Sequence, residues 1–289
     1  MRVEESLLHK KRAVDRELDE LLSRENSSLF QAMRYAVFPG GKRFRPLLML
    51  SCGECFHVSQ NLLLPFASAI ELIHNYSLIH DDLPSMDNDD LRRGKPSCHK
   101  AFGEDIALLA GDSLLTLAFE VLAQAPLPRA LYPQKEQVIR EISQAAGARG
   151  MIGGQYLDIT LTPEKLSEEA LDELILRKTG SLIIVSVRAA AIVAKASPSQ
   201  LEAISEYGKN IGLAFQIRDD IMDSTEEGNG VALSRPNYVS CSGIQESKKR
   251  LRRLVASAIG ALDRARLESR ELRYLARKLQ ELGRESKNA

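Results

Sequence analysis

Apolar side chains recur at three- and four-residue spacing along almost the whole chain, and the alternation of a half-buried strand is nearly absent, so the pattern is helical throughout. Helices are predicted over 3–23, 28–37, 43–58, 65–82, 103–124, 135–153, 164–174, 177–195, 200–223, 244–258 and 262–282. Breaks fall where turn residues gather: Pro39-Gly40-Gly41, Pro84 to Asp90, Gly94-Lys95-Pro96, Pro163, Pro198 and the polar stretch 224–243. Ser197 or Ser199 is placed to cap the helix that starts near residue 200. The stretches 105–124 and 181–194 are apolar on more than one face, as suits central helices or a subunit interface. No Gly-, Ser- or Pro-rich linker divides the chain and no internal repeat is evident, so residues 1–289 are expected to form a single all-α domain.

Composition removes several classes of partner. A hydrophobic content of 44% over 289 residues is ample for a core. Lys+Arg and Asp+Glu both total 39, so the net charge offers no pull toward nucleic acid, and the few Phe and Tyr are not interleaved with basic residues. The start, Met1-Arg2-Val3-Glu4-Glu5, carries acids where a signal peptide needs a basic and then an apolar region. The most apolar window, Leu182 to Ala194, contains Arg188 and is too short to span a bilayer, so no transmembrane segment is expected. Cysteines at 52, 55, 98 and 241 have no framework spacing, which fits a reducing, cytoplasmic location. Cys52-Gly53-Glu54-Cys55 with His57 lacks the second ligand pair of a zinc site and reads as the buried end of an apolar helix.

Any electrostatic function is therefore local, and the aspartates show where. Asp81, Asp82 and Asp87 crowd one short span, and Asp219, Asp220 and Asp223 crowd another about 130 residues later. Folding gains nothing from such repulsion; Mg²⁺ bridging to a substrate phosphate is the simplest compensation, and two clusters suggest two walls of one site. Pro84 stops the first helix, so Asp87 can fold back toward Asp81, while His74, Leu78 and Asp81 follow one helix face. Arg92 and Arg93, close behind, suit the outer oxygens of a diphosphate. In the second cluster the three acids project from one side of a helix, with Gln216 one turn earlier.

Gly40-Gly41-Lys42-Arg43-Phe44-Arg45-Pro46 places three cations in four positions after a glycine turn, an anion-site pattern without P-loop spacing. Lys178-Thr179 at the start of another helix is a similar candidate. Charged groups at the mouths of apolar helices suggest a ligand with a diphosphate head and a hydrocarbon tail, whose burial contributes about 0.8 kcal/mol per CH₂.

Several of these segments match known motifs in order. Gly41-Lys42-Arg43-Phe44-Arg45-Pro46, the run Ile79 to Asp87 continued by Asp90 to Pro96, Phe102-Gly103, Leu109 to Asp112, Gly153-Gly154-Gln155, Lys178-Thr179-Gly180 and Gly212 to Gln216 leading into the second aspartate cluster resemble the trans-isoprenyl diphosphate synthases. Within that family the chain is similar to short-chain farnesyl and geranylgeranyl diphosphate synthases of bacterial and plastid type, over about residues 28–224.

The resemblance implies an all-α, isoprenoid-synthase-type bundle around a central cavity, usually a homodimer. It implies Mg²⁺, three ions in the closed complex, held by Asp81, Asp82 and Asp87 on one side and Asp219 and Asp223 on the other. Arg92, Lys178, Thr179, Gln216 and Arg235 would meet the allylic diphosphate, and Lys42, Arg45, His74 and Arg93 the isopentenyl diphosphate. Asp220 joins Asp81, Asp82, Asp87, Arg92, Lys178, Asp219 and Asp223 as the catalytic set. The implied reaction is ionisation of the allylic C–O bond, attack by the isopentenyl double bond and loss of a proton; the chain carries no nucleophile elbow, and this chemistry needs none. Tyr76, five residues before Asp81, stands where the family uses an aromatic as cavity floor. A tyrosine there implies a C15 product, farnesyl diphosphate, and a small residue C20, geranylgeranyl diphosphate; the wording of 81–112 also resembles plastid C20 enzymes.

The chain departs from the family after Asp223. The usual Gly-Lys pair is absent around Gly228-Asn229-Gly230, and Lys-x-Thr-Tyr-Pro becomes Arg235-Pro236-Asn237-Tyr238-Val239. That departure keeps a second reading open, a weak or inactive regulatory subunit; a terpene cyclase is opposed by the Lys42/Arg45 motif and the paired aspartate clusters.

Overall fold

Caps and apolar stripes agree best in the first two helices. In the computed structural model, which describes residues 2–38, 40–161, 167–226 and 237–282, α1 is Val3–Leu22 and α2 is Ser28–Val37. The Ser27 hydroxyl accepts the Phe30 N–H, satisfying one of the unpaired donors at the start of α2. Thirteen α-helices occur among the described residues, with a two-stranded ribbon and no larger sheet, so the fold is all-α as predicted.

The described chain divides into two compact units, residues up to Leu50 with Ser59–Tyr132 in one, and Ser51–Val58 with Pro133 onward in the other. Helix α3, Phe44–Cys55, contributes to both. The core of the first unit is α4, Gln60–Asp81, which buries Leu63, Phe66, Ile70 and Ile73 and packs on α1, α2 and α6. Its predicted start at Pro65 is corrected to Gln60: proline lacks one N–H, but burial of Leu63 and Phe66, about 1.5–3 kcal/mol each, outweighs that loss. Strands β1, Leu91–Arg92, and β2, Lys95–Pro96, precede α5, Cys98–Phe102, a short helix that the apolar pattern did not reveal. Helix α6 is Glu104–Gln124. By length and composition α4 and α6 could each cross a membrane, although the apolar window of α4 is 72% buried and that of α6 39% buried here. Residues 182–194, the most apolar window of the sequence, are not one of these two helices.

In the second unit the predicted helix 135–153 becomes two, α7 (Tyr132–Ala146) and α8 (Met151–Thr160), because a turn containing Gly147 and Gly150 separates them. Helix α9, Glu168–Ile175, is N-capped by Ser167 and runs through a π-helical turn, Leu176–Gly180, into α10, Ser181–Val193. Helix α10 buries Leu182, Ile183, Val187 and Ala190, leaves a partly exposed stripe at Ser181, Ile184 and Arg188, and packs on α11, Pro198–Glu226. Ser197 settles the capping alternative: its hydroxyl accepts the Gln200 N–H while its own N–H donates to Gln200 Oε1, with Pro198 at the first helical position. Helix α12, Tyr238–Arg264, joins a short first segment to a longer one across Gly243, whose φ of 79° no helix contains, so the longer segment begins at 244 as predicted. Its first turn is rich in serine, a weak helix signal, but Asn237 caps it. Helix α13 is Arg270–Lys278. The Cys52 thiol donates to the Val187 carbonyl at 3.3 Å, so this cysteine is a packing group of the second unit.

Candidate active site

Helix α4 carries the first cluster on its last turns. The Asp82 N–H bonds back to the Leu78 carbonyl, and after Pro84 the Asp87 N–H donates to the Asp81 carbonyl at 2.8 Å. The predicted return of Asp87 toward Asp81 is thus made through the backbone. Asp82 is 2% exposed, and its carboxylate accepts Arg92 Nε at 2.9 Å and Arg92 Nη2; the same guanidinium reaches Asp89 at 3.1 Å. Burial raises the Asp82 pKa and the Arg92 bonds oppose that rise. Asp81 is partly exposed and Asp87 exposed.

A tight hairpin aims the next cation. Arg92 pairs with Lys95 in the ribbon, leaving Arg93 and Gly94 as the two turn residues, both with positive φ, 54° and 76°, as a type I′ turn requires. Glycine takes that conformation freely; arginine does so at a cost of about 1–2 kcal/mol. The Arg93 guanidinium lies over Gly41, where an added Cβ would meet its Nη2 at 3.1 Å.

Three neighbouring cations divide into different roles. Arg43 is fully buried; its Nε donates to Asp15 at 2.8 Å, Nη1 to Glu71 at 2.8 Å and Nη2 to the Val37 carbonyl at 3.0 Å. Gly40 admits this guanidinium, which a Cβ would strike at 2.0 Å. Arg45 is buried and Lys42 exposed. His74, one turn after Glu71 on α4, keeps some accessible surface yet is enclosed by protein atoms. Burial and the guanidiniums of Arg45, Arg93, Arg43 and Arg92 hold its pKa well below the ordinary value, so the imidazole is neutral. Arg93 is itself lowered by burial, with Glu71 opposing and Arg43 and Arg92 reinforcing. Four guanidinium groups acting on one imidazole make a field suited to a polyanion.

Tyr76 is 5% exposed and its hydroxyl has no hydrogen-bond partner among the described residues. Burial, then Asp81, pushes its pKa up to about 12. Its ring stands edge-on to His80, centroids 5.7 Å apart.

In the second unit the π turn presents Lys178 and Thr179. Such turns insert one extra residue per turn and occur frequently at functional sites. Gly154 of α8 and Gly212 of α11 clasp it closely: a Cβ on Gly154 would lie 2.2 Å from the Lys178 nitrogen, and one on Gly212 2.8 Å from the Gly180 Cα. Lys178 Nζ bonds Asp158 at 2.6 Å. Thr179 Oγ1 donates to Gln216 Oε1 at 3.0 Å, and Gln216 Nε2 donates to Asp220 Oδ1 at 2.9 Å. Asp219 is partly exposed with Arg218 at 3.5 Å, and Asp223 is exposed. Arg235 lies outside the described residues.

Asp158, Glu71 and Tyr238 were not singled out in the sequence. Asp158 had a signal, since it stands three residues after Gln155 and so one turn along the same helix. Glu71 and Tyr238 act through partners distant in sequence, which periodicity does not reveal. Among the described residues, no three His, Cys, Asp or Glu side chains converge as a metal site.

The many packed helices define an isoprenoid-synthase fold. The comparisons name the family: the polyprenyl synthetase model matches residues 26–235. The farnesyl diphosphate synthase of Escherichia coli K12 is 41% identical over 81% of this chain and 81% of its own length. A chloroplastic geranylgeranyl pyrophosphate synthase 7 of Arabidopsis thaliana is 38% identical over 87% of this chain and 76% of its own length. The apo crystal structure of an FPP/GFPP synthase from Zymomonas mobilis superposes with a TM-score of 0.87 at 34% identity, covering 97% of this chain and 99% of that one. The chain belongs to the polyprenyl synthetase family, the trans-isoprenyl diphosphate synthases, and is a prenyltransferase.

Proposed function

We propose that the protein condenses isopentenyl diphosphate head-to-tail with dimethylallyl or geranyl diphosphate, releasing farnesyl diphosphate and diphosphate. The observation that carries this reading is the guanidinium field around neutral His74, beside the carboxylates that end α4. A diphosphate needs cations, and a neutral imidazole can donate to its oxygen without adding a titrating charge.

Lys42, Arg45, His74 and Arg93 hold the isopentenyl diphosphate. Arg92, Lys178, Thr179 and Gln216, with Arg235, receive the allylic diphosphate and stabilise charge that develops as its C–O bond breaks. The isopentenyl double bond then attacks the allylic carbon, and the departing diphosphate takes the proton. Arg92 and Lys178 both hold carboxylates in the free protein, Asp82 and Asp158, so substrate binding exchanges one anionic partner for another. Asp81, Asp82 and Asp87, and separately Asp219 and Asp223, supply only carboxylate oxygens, a hard donor set that fits Mg²⁺. Bound Mg²⁺ would neutralise the diphosphate and favour its departure.

The unpartnered Tyr76 hydroxyl supports the floor role, because the ring is held there for its bulk rather than for a polar bond. The C15 product rests on that residue, and the plastid C20 relative marks the competing outcome. Leu108 and Leu109 on α6, 46% and 51% exposed, support association with a second copy through that helix.

The deciding experiment incubates wild type and Tyr76→Ala with isopentenyl and geranyl diphosphates and Mg²⁺, and resolves products by chain length. C15 from wild type and longer products from the variant are expected. Absence of turnover by folded protein rejects the synthase reading, and unchanged products remove Tyr76 from the floor.

A further inference from the structure

We infer that Asp220 is a positioning residue rather than a metal ligand: it fixes the orientation of Gln216 and joins it to the start of α12, so that Thr179 and Gln216 meet the allylic diphosphate in one arrangement. This rests on the synthase reading above.

Three chemically identical side chains lie within one stretch of α11, but their surroundings differ. Asp219 and Asp223 keep solvent access, whereas Asp220 is 7% exposed with both oxygens engaged inside the protein. Oδ1 accepts Gln216 Nε2 at 2.9 Å and Oδ2 accepts the Tyr238 N–H at 2.9 Å.

An ionised carboxylate only accepts, so the amide nitrogen of Gln216 must face it. Gln216 Oε1 is then turned to Thr179, whose single hydroxyl proton it receives at 3.0 Å. Thr179 is left with acceptor capacity outward, and Gln216 keeps one N–H. A bound diphosphate oxygen therefore finds a donor on Gln216, and reversing the amide would remove it.

The other end of the relay is equally built. Tyr238 is fully buried; its hydroxyl donates to Asp172, and the Arg250 guanidinium lies 4.8 Å from its ring centroid while also bonding Asp172 at 2.7 Å. Asn237 caps the same turn, its side chain accepting the Ser240 N–H at 2.8 Å. The two bonds hold the Asp220 carboxylate inside the protein, and turning it out to a metal as its exposed neighbours stand would leave a buried backbone N–H unpaired, which costs about 1–3 kcal/mol in general.

The test compares Asp220→Asn, Asp219→Asn and Gln216→Ala with wild type. Asparagine has one acceptor oxygen, so it cannot serve Gln216 and Tyr238 together. In Asp220→Asn, hydrogen exchange at the Tyr238 amide should accelerate about tenfold, and geranyl diphosphate affinity by calorimetry should fall about tenfold. Half-saturating Mg²⁺ should stay within about twofold of wild type, while Asp219→Asn moves it about tenfold or more. Gln216→Ala should weaken geranyl diphosphate alike, and adding Asp220→Asn to it should lower affinity by no more than about a further twofold. A Mg²⁺ shift in Asp220→Asn equal to that of Asp219→Asn overturns the inference, as do unchanged Tyr238 exchange or full additivity with Gln216→Ala. Exchange and calorimetry need no turnover, so an inactive wild type would reject the synthase reading while Tyr238 exchange and geranyl diphosphate affinity still decide this one.

Discussion

Arg43 and Arg45 stand two residues apart in one basic motif and do different work. Arg43 is enclosed with Asp15 and Glu71, so Arg43→Met leaves carboxylate charge buried and should destabilise by about 3–5 kcal/mol. Thermal or urea unfolding measures this, and Arg43→Met combined with Glu71→Leu should recover part of the loss. His74 makes a pH prediction with a definite sign. Its folded pKa lies below the ordinary 6.5, so its contribution to stability is complete above that value and is lost as pH falls through the folded pKa. An NMR titration should show the imidazole still neutral at pH 6, and inorganic diphosphate should raise its pKa by offsetting the arginines. Sequence revealed the basic motif and His74 as ligand candidates. The charge pattern alone did not separate Arg43 from Arg45; the family resemblance assigned only Arg45, and Glu71, 28 residues from Arg43, supplies the physical reason.

At the scale of elements, legibility followed locality. Helices α1 and α2 were predicted within a residue, and the return of Asp87 followed from Pro84. The type I′ turn at Arg93-Gly94 escaped prediction because arginine is not a usual residue there; its conformation is imposed by the ribbon. The π turn escaped for a related reason. Its helical spacing differs by one residue, and only the close approach of Gly154 and Gly212 shows why it sits at Lys178 and Thr179. Gly212→Ala places a methyl 2.8 Å from Gly180, so it should cost about 1–3 kcal/mol and raise the KM for the allylic diphosphate by displacing Thr179. Unchanged KM in a stable variant would remove the clasp from the substrate argument.

For the whole molecule, all-α architecture was legible because apolar periodicity is distributed over hundreds of residues, whereas the proposed association rests on a few exposed positions. If α6 seats a second copy, Leu108→Glu with Leu109→Glu should shift sedimentation from dimer to monomer while the helical circular dichroism persists. An unshifted dimer places the contact elsewhere. The π turn has a wider consequence for how this chain tolerates change. Removing a single residue from 176–180 would let α9 continue into α10 as ordinary helix. Because a π turn accommodates one extra residue within a single turn, the deletion would leave α10 nearly in phase with α9 and would remove the bulge that presents Lys178 and Thr179. The extra residue therefore shapes the site rather than the packing of α10, so the deletion should keep the helical circular dichroism and lose allylic diphosphate binding.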